Sequence, residues 1–218
     1  GYSEKHANPI WTCYAIGPAT DLTVYSRKRF ATDTGTTARV SHDDYTNEDF
    51  SRGHMAPRLA ISSRFGKAGN DATFIMSNVC PQYQDFNDGP WGNLEEWIAG
   101  RKVSNRFIKG WADVYTKVWV TCGPIFEGTT AQFAGKIDIP SAYYCIVIDE
   151  DKGAPRALAF IFAHEDTRAC DLAGALRTID EIETRTGLDF FSALPDSIEA
   201  PLERTRATSL WSLPEIPN

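Results

Sequence analysis

Two stretches of this chain, Val114 to Thr121 and Ala142 to Ile148, are so rich in Val, Ile, Tyr and Trp that they predict β-strands. Ala157 to Ala163 predicts a third. Gly123-Pro124 reads as the stop of the first. Ile10 to Ile16 and Leu22 to Tyr25 read as two shorter strands parted by Gly17-Pro18, and Thr73 to Met76 as a brief run of β propensity. A chain holding these runs must build a sheet, and helices break it up. After Asn87-Asp88-Gly89-Pro90, which offers a cap and a first-turn proline, Trp91, Leu94 and Ile98 recur at helical spacing. That helix is expected to run through Trp97 and end near Gly100, or to resume towards Trp111. Leu172, Leu176, Ile179 and Ile182 predict another helix over Leu172 to Thr186, closed by Gly187. Residues 31–49 are polar and predict a long surface loop, and the proline-bearing end (Pro195, Pro201, Pro214, Pro217) predicts loop. One α+β domain over 1–218 is the simplest account.

Composition narrows what such a domain can do. With 218 residues, 42% hydrophobic and 23% charged, the profile is that of an ordinary globular protein with room for a sizeable core. No apolar run approaches the roughly 18 residues of a membrane-spanning helix, so no membrane insertion is expected. Gly1-Tyr2-Ser3-Glu4 carries no signal peptide and reads as a mature or a trimmed N-terminus, which leaves export open. A net charge of −7 and a pI near 5.1 argue against a non-specific nucleic-acid coat. They leave room for a nuclease with a local basic patch, and Arg27-Lys28-Arg29, Arg52, Arg58, Arg64 and Lys67 concentrate cations in the first third. Acidic residues crowd Glu165 to Glu203. Solvated surface charge is the plain alternative for any one of these. The cysteines, Cys13, Cys80, Cys122, Cys145 and Cys170, form no close pair, which argues against a zinc knuckle or redox dithiol. One or two disulfides, or isolated buried thiols, both fit.

The chemistry concentrates in 45 residues. Ser51-Arg52-Gly53-His54-Met55-Ala56-Pro57 places an imidazole able to take a proton from water at neutral pH beside arginines suited to phosphate. Gly53 allows close backbone approach or unusual dihedrals. A lone histidine is commonly structural, and these neighbours argue otherwise. Asn78, in Asn78-Val79-Cys80-Pro81-Gln82, has an amide that either orients the catalytic segment or holds a loop. Asn87 and Glu95, a little over two helical turns apart, offer an amide oxygen and a carboxylate that suit a lightly held Mg²⁺. The plain alternative makes Asn87 a helix cap and Glu95 a solvated helix residue.

With Asn8-Pro9-Ile10-Trp11, Thr121-Cys122-Gly123-Pro124-Ile125-Phe126 and Ile139-Pro140-Ser141-Ala142-Tyr143-Tyr144, these motifs make the chain resemble the DNA/RNA non-specific endonucleases, the endonuclease G-like enzymes. The resemblance implies the ββα-metal nuclease fold, a central antiparallel sheet with flanking helices. It implies a hydrolase that cleaves DNA and RNA to 5′-phosphate ends with Mg²⁺ or Mn²⁺ as cofactor. By that resemblance His54 is the general base and Asn87 the direct metal ligand. Glu95 supports the ion's water shell, Arg52 and Arg29 contact phosphate, and Asn78 supports the site. An inhibitor protein is an implied partner. The expected location is secreted or periplasmic in a bacterium, with a mitochondrial enzyme or a delivered toxin as alternatives. Ser51 departs from the aspartate usual in the family and is similar to a minority branch that includes mitochondrial exo/endonuclease-type enzymes. Two rival readings are a phosphodiesterase for smaller substrates and an inactive nucleic-acid- or inhibitor-binding module of the same fold.

Overall fold

A computed structural model describes residues 1–46, 49–104, 106–150, 153 and 155–213. Its centre is a five-stranded antiparallel sheet. In chain order the strands are β1 (Thr12–Ile16), β4 (Val118–Ile125), β5 (Ala142–Asp149), β6 (Arg156–Ala163) and β7 (Leu176–Arg177); in space they run β7-β6-β5-β4-β1. A separate antiparallel pair, β2 (Phe50–His54) and β3 (Val79–Tyr83), leads into the helical turns that precede α2 (Gly92–Ala99). The other main helices are α1 (Arg58–Ala72), α3 (Ile179–Thr186) and α4 (Asp196–Arg204).

Every residue of β5 is buried, because the sheet is covered on both faces. Strand alternation divides the core accordingly. Tyr143, Cys145 and Val147 of β5 join Val120, Cys122, Leu158 and Phe160 on one face. There they meet Met55, Trp91, Trp111 and, from α2, Leu94 and Ile98, so the predicted Trp91–Leu94–Ile98 stripe is buried as expected. Tyr144, Ile146 and Ile148 point to the other face, where Ile179 and Ile182 of α3, Leu202 of α4 and Phe190 cover them.

Several expectations are corrected. The first strand starts at Thr12, and Leu22 to Tyr25 forms no strand. The described part of 31–49 is mostly irregular but is no plain surface loop: Val40 and Tyr45 are buried, and His42–Tyr45 makes a short helical turn capped by Ser41. Thr73 to Met76 supplies only an isolated bridge, from Ile75 to Ala31. Helix α1 was not anticipated. Its apolar pattern is weak, and Gly66 breaks it at φ 62°, ψ −151°. Gly123-Pro124 lies inside β4, not at its end. A side chain at Gly123 would come within 2.3 Å of the Ile10 carbonyl, so the glycine serves a close approach. Pro124 sits beyond the last pairing of β1 with β4, at Cys122, where the ladder is one-sided and a missing N–H is tolerated. β4 begins at Val118, because Trp111–Val114 forms its own helical turn.

The predicted helix from Leu172 is only α3; Leu176 instead adds the short edge strand β7 to β6. Thr178 supplies a capping box, and Gly187 ends the helix at φ 69° as expected. The proline-bearing end holds a helix, α4, with Pro195 just before it and Pro201 inside it; Pro214 and Pro217 lie outside the described residues. All five thiols are free, with Cys80, Cys122 and Cys145 buried.

Candidate active site

His54 ends β2, opposite Val79 of β3. Its ring is packed by Phe30 at 5.0 Å and edge-on against Phe74 at 5.5 Å. Nε2 is buried and has no hydrogen-bond partner among the described residues. Burial, then the charges of Arg27 and Arg58, push the imidazole down to about 4, so it is neutral and able to accept a proton at pH 7. Gly53 permits the pairing with β3: a Cβ there would meet the Gln82 side-chain oxygen at 2.1 Å.

Asn78 clamps the backbone that follows His54. Its Oδ1 accepts from the Ala56 N–H at 2.8 Å, and its Nδ2 donates to the Ala56 and Thr73 carbonyls, each at 3.1 Å. Its own carbonyl accepts from the Met55 N–H at 2.9 Å. Of the two alternatives drawn from the sequence, the loop-holding one is observed, and the loop held is the one that follows the imidazole.

Asn87 does not cap the start of a helix; it closes the short turn Gln84–Phe86. Helical backbone begins at Gln84, and Asn87 itself has helical dihedrals, φ −62° and ψ −42°. From Asn87 to Trp91 the chain makes a widened π-type turn, with Gly89 at φ −97°, ψ −110°, before α2 proceeds. Such turns concentrate at functional sites. The spacing argument for one continuous helix therefore does not apply, since the turn changes the phase between Asn87 and Glu95. The Asn87 amide nitrogen lies 3.5 Å from Asp88 Oδ1, and its own Oδ1 accepts no hydrogen bond among the described residues.

Glu95 is half-buried on α2, not fully solvated. Burial raises its carboxyl to about 8. The Trp91 indole N–H, itself buried without a hydrogen-bond partner, lies close enough to work the other way. A bare amide oxygen on the turn and a carboxyl kept from ionising by burial suit a hard divalent ion, which would favour the carboxylate form.

The arginines separate into two kinds. Arg52 donates from Nε and Nη2 to the His42 carbonyl at 3.2 and 2.7 Å and lies 5.6 Å above the Tyr45 ring, so its plane is fixed. Arg29 makes an exposed ion pair with Asp43 at 2.5 Å. Such pairs contribute about 0–1 kcal/mol, so Arg29 is readily released. Arg64 is spent on structure, buried against Asp113 at 3.1 Å, while Lys28 and Lys67 share Asp71, both at 2.6 Å. The anticipated basic patch thus shrinks to Arg27, Arg29, Arg52 and Arg58. Ser51, where the family pattern has aspartate, is half-buried and donates from its hydroxyl to Gln84 Oε1 at 2.5 Å.

Sequence reasoning missed the supports. Gln82 is fully buried with both amide atoms unpartnered, against Gly53. The segment after β6 grips the Asn87 turn: His164 Nε2 accepts from the Tyr83 N–H at 3.0 Å, and Arg168 pairs with Asp85 at 2.8 Å and Asp88 at 3.4 Å. Gly89 is required there, since a Cβ would meet Arg168 Cα at 2.7 Å. These partners are about 80 residues apart in sequence, and no local pattern marks them.

Comparison with known proteins fits this geometry. A sequence model of the DNA/RNA non-specific endonucleases matches residues 1–197, and the chain belongs to that family. It is 32% identical to a nuclease of Serratia marcescens over 168 residues, which are 73% of this chain and 59% of the relative. It is 29% identical to human mitochondrial endonuclease G over 165 residues, 70% of this chain and 52% of the relative. The chain thus spans little more than half the length of these relatives. Among solved structures, a complex of EndoG with its inhibitor EndoGI superposes with a TM-score of 0.72 at 19% identity, covering 90% of this chain and 84% of that one. This confirms the ββα-metal nuclease fold.

Proposed function

We propose that this chain is a Mg²⁺-dependent nuclease that hydrolyses phosphodiester bonds in DNA and RNA and leaves 5′-phosphate ends, with 1–218 acting as one domain. The observation that carries the proposal is His54: a neutral imidazole with an unpartnered Nε2, on a segment locked by Asn78. In this reading Nε2 takes the proton from a water that attacks phosphorus in line. Arg52, its plane fixed by the His42 carbonyl, and Arg29, released from Asp43, neutralise the phosphate. Asn87 would hold the ion, and Glu95 would support the water around it. The divalent ion, when bound, would supply positive charge to the phosphate and the leaving oxygen. Contacts of this kind carry no base information, so cleavage is largely indifferent to sequence.

A protein inhibitor is a proposed partner, resting on the neighbour solved with one. No helix among the described residues is long and apolar enough to cross a membrane. A secreted or periplasmic bacterial enzyme is the proposed location. A mitochondrial one is the alternative, since several relatives are named as mitochondrial.

The test is cleavage of supercoiled plasmid and of RNA with Mg²⁺, with and without chelator, followed by analysis of the ends. Both polymers should be cut, chelation should stop the reaction, and the ends should carry 5′-phosphate. Cleavage of small model diesters alone, or undiminished activity in chelator, would reject the reading. Glu95→Ala should recover part of its activity at higher Mg²⁺, whereas Asn87→Ala should not.

A further inference from the structure

On the sheet face away from His54, α3 and α4 bring three carboxylates together. One oxygen from each of Asp180, Glu183 and Glu203 lies within 4.8 Å of the other two. Oxygens bound to one Ca²⁺ at 2.3–2.6 Å can be no more than about 5 Å apart, so the spacing fits a single ion. Glu203 is only 9% exposed, and its Oε1 is buried with no hydrogen-bond partner. A buried acceptor without a donor is costly, and such atoms call for a ligand or a proton.

Among the described residues no cation pairs with the cluster. Two basic side chains of the same helices are engaged elsewhere: Arg185 forks onto Glu127, and Arg204 donates to the Ala200 carbonyl. Glu183 Oε1 accepts from the Phe190 N–H at 2.7 Å, which fixes that carboxylate and leaves its other oxygen for the cluster.

We propose that Asp180, Glu183 and Glu203 form a second divalent-cation site, of the Ca²⁺ class, that ties α3 to α4. Three carboxylates on two separate helices make a flexible, all-oxygen set, which favours Ca²⁺ over Mg²⁺, an ion that prefers one or two carboxylates with several waters. Without an ion, burial and the neighbouring carboxylates Glu183, Glu199, Asp180 and Asp189 raise Glu203 to about 7, so a proton is the competing occupant.

The test uses the full chain and Ca²⁺ itself, by calorimetry and thermal melting at pH 7.5, on the parent and on Glu203→Gln and Asp180→Asn. Saturable binding is expected in the parent, with a melting temperature that rises with Ca²⁺. Each variant should weaken binding about tenfold or more and lose the rise, while Mg²⁺-supported plasmid cleavage is unchanged. Glu203→Gln should melt no lower than the parent in chelator, because it removes a repelling charge; this separates a lost site from a lost fold. No saturable binding in the parent, or a Ca²⁺-dependent rise that survives in both variants, would overturn the proposal and leave the cluster held by a proton.

Discussion

On one face of the sheet, buried and half-buried polar groups meet named partners across long stretches of chain: Asn78 on Ala56, His164 on Tyr83, the Cys122 thiol on the Met55 carbonyl at 3.1 Å. On the other face, Ile146, Ile161, Ile179, Ile182 and Leu202 pack as an apolar layer, bordered by the Tyr144 hydroxyl, which donates to the Ile10 carbonyl at 3.0 Å, and by the acidic corner at Glu203. The first face spends its hydrogen bonds on fixing a histidine and a turn; the second holds the sheet shut by apolar burial. Damage to the first should therefore appear in rate and damage to the second in stability.

His54→Ala should sharpen this contrast most. The general-base role predicts a loss of about 10² to 10⁴ in rate with the fold kept, read by plasmid cleavage beside circular dichroism. Wild-type-like turnover in the folded variant would remove His54 from the chemistry. Asn78→Ala comes next. It frees the loop bearing His54, and a displacement of about 1 Å can cost about 10²-fold. Its effect should fall on kcat more than on KM; a change confined to KM would mean that the clamp does not orient the base.

Ile182→Ala on the far face should do the reverse. A fully buried Ile truncated to Ala costs about 2–5 kcal/mol of stability, measured by urea unfolding, with kcat unchanged below the melting transition. A fall in kcat in that variant would break the division between the faces.

The smallest effect expected is in pH. The pocket pushes His54 down to about 4 from its usual 6.5, so the proton-accepting form persists well below pH 6.5. The acid limb of kcat/KM should therefore lie clearly below 6.5. Because the folded value is the lower one, the stability linked to His54 is present above about 6.5 and is lost as pH falls towards about 4. A limb at 6.5 would show that the imidazole is solvated while the enzyme works.

The proposed chemistry was read from the chain's own order of residues. The Arg52-Gly53-His54 run, Asn78, Asn87 and Glu95 are legible because phosphodiester hydrolysis needs those side-chain types, and the strands β4, β5 and β6 are legible because their runs are dense in β-branched and aromatic residues. The Trp91–Leu94–Ile98 stripe marked its helix by period alone.

What the tertiary structure decided lies in contacts between residues far apart in sequence. Helix α1 escaped notice because its burial comes from what packs on it, not from a strong stripe of its own. Leu176 left the predicted helix because β6 offered it a ladder, and backbone pairing with a neighbour overrode the local period. The low value at His54 and the high value at Glu95 arise from desolvation by residues distant in the chain, which residue type cannot reveal. Whether a given arginine meets phosphate or a buried aspartate, as Arg64 does, is likewise set only when the chain closes on itself.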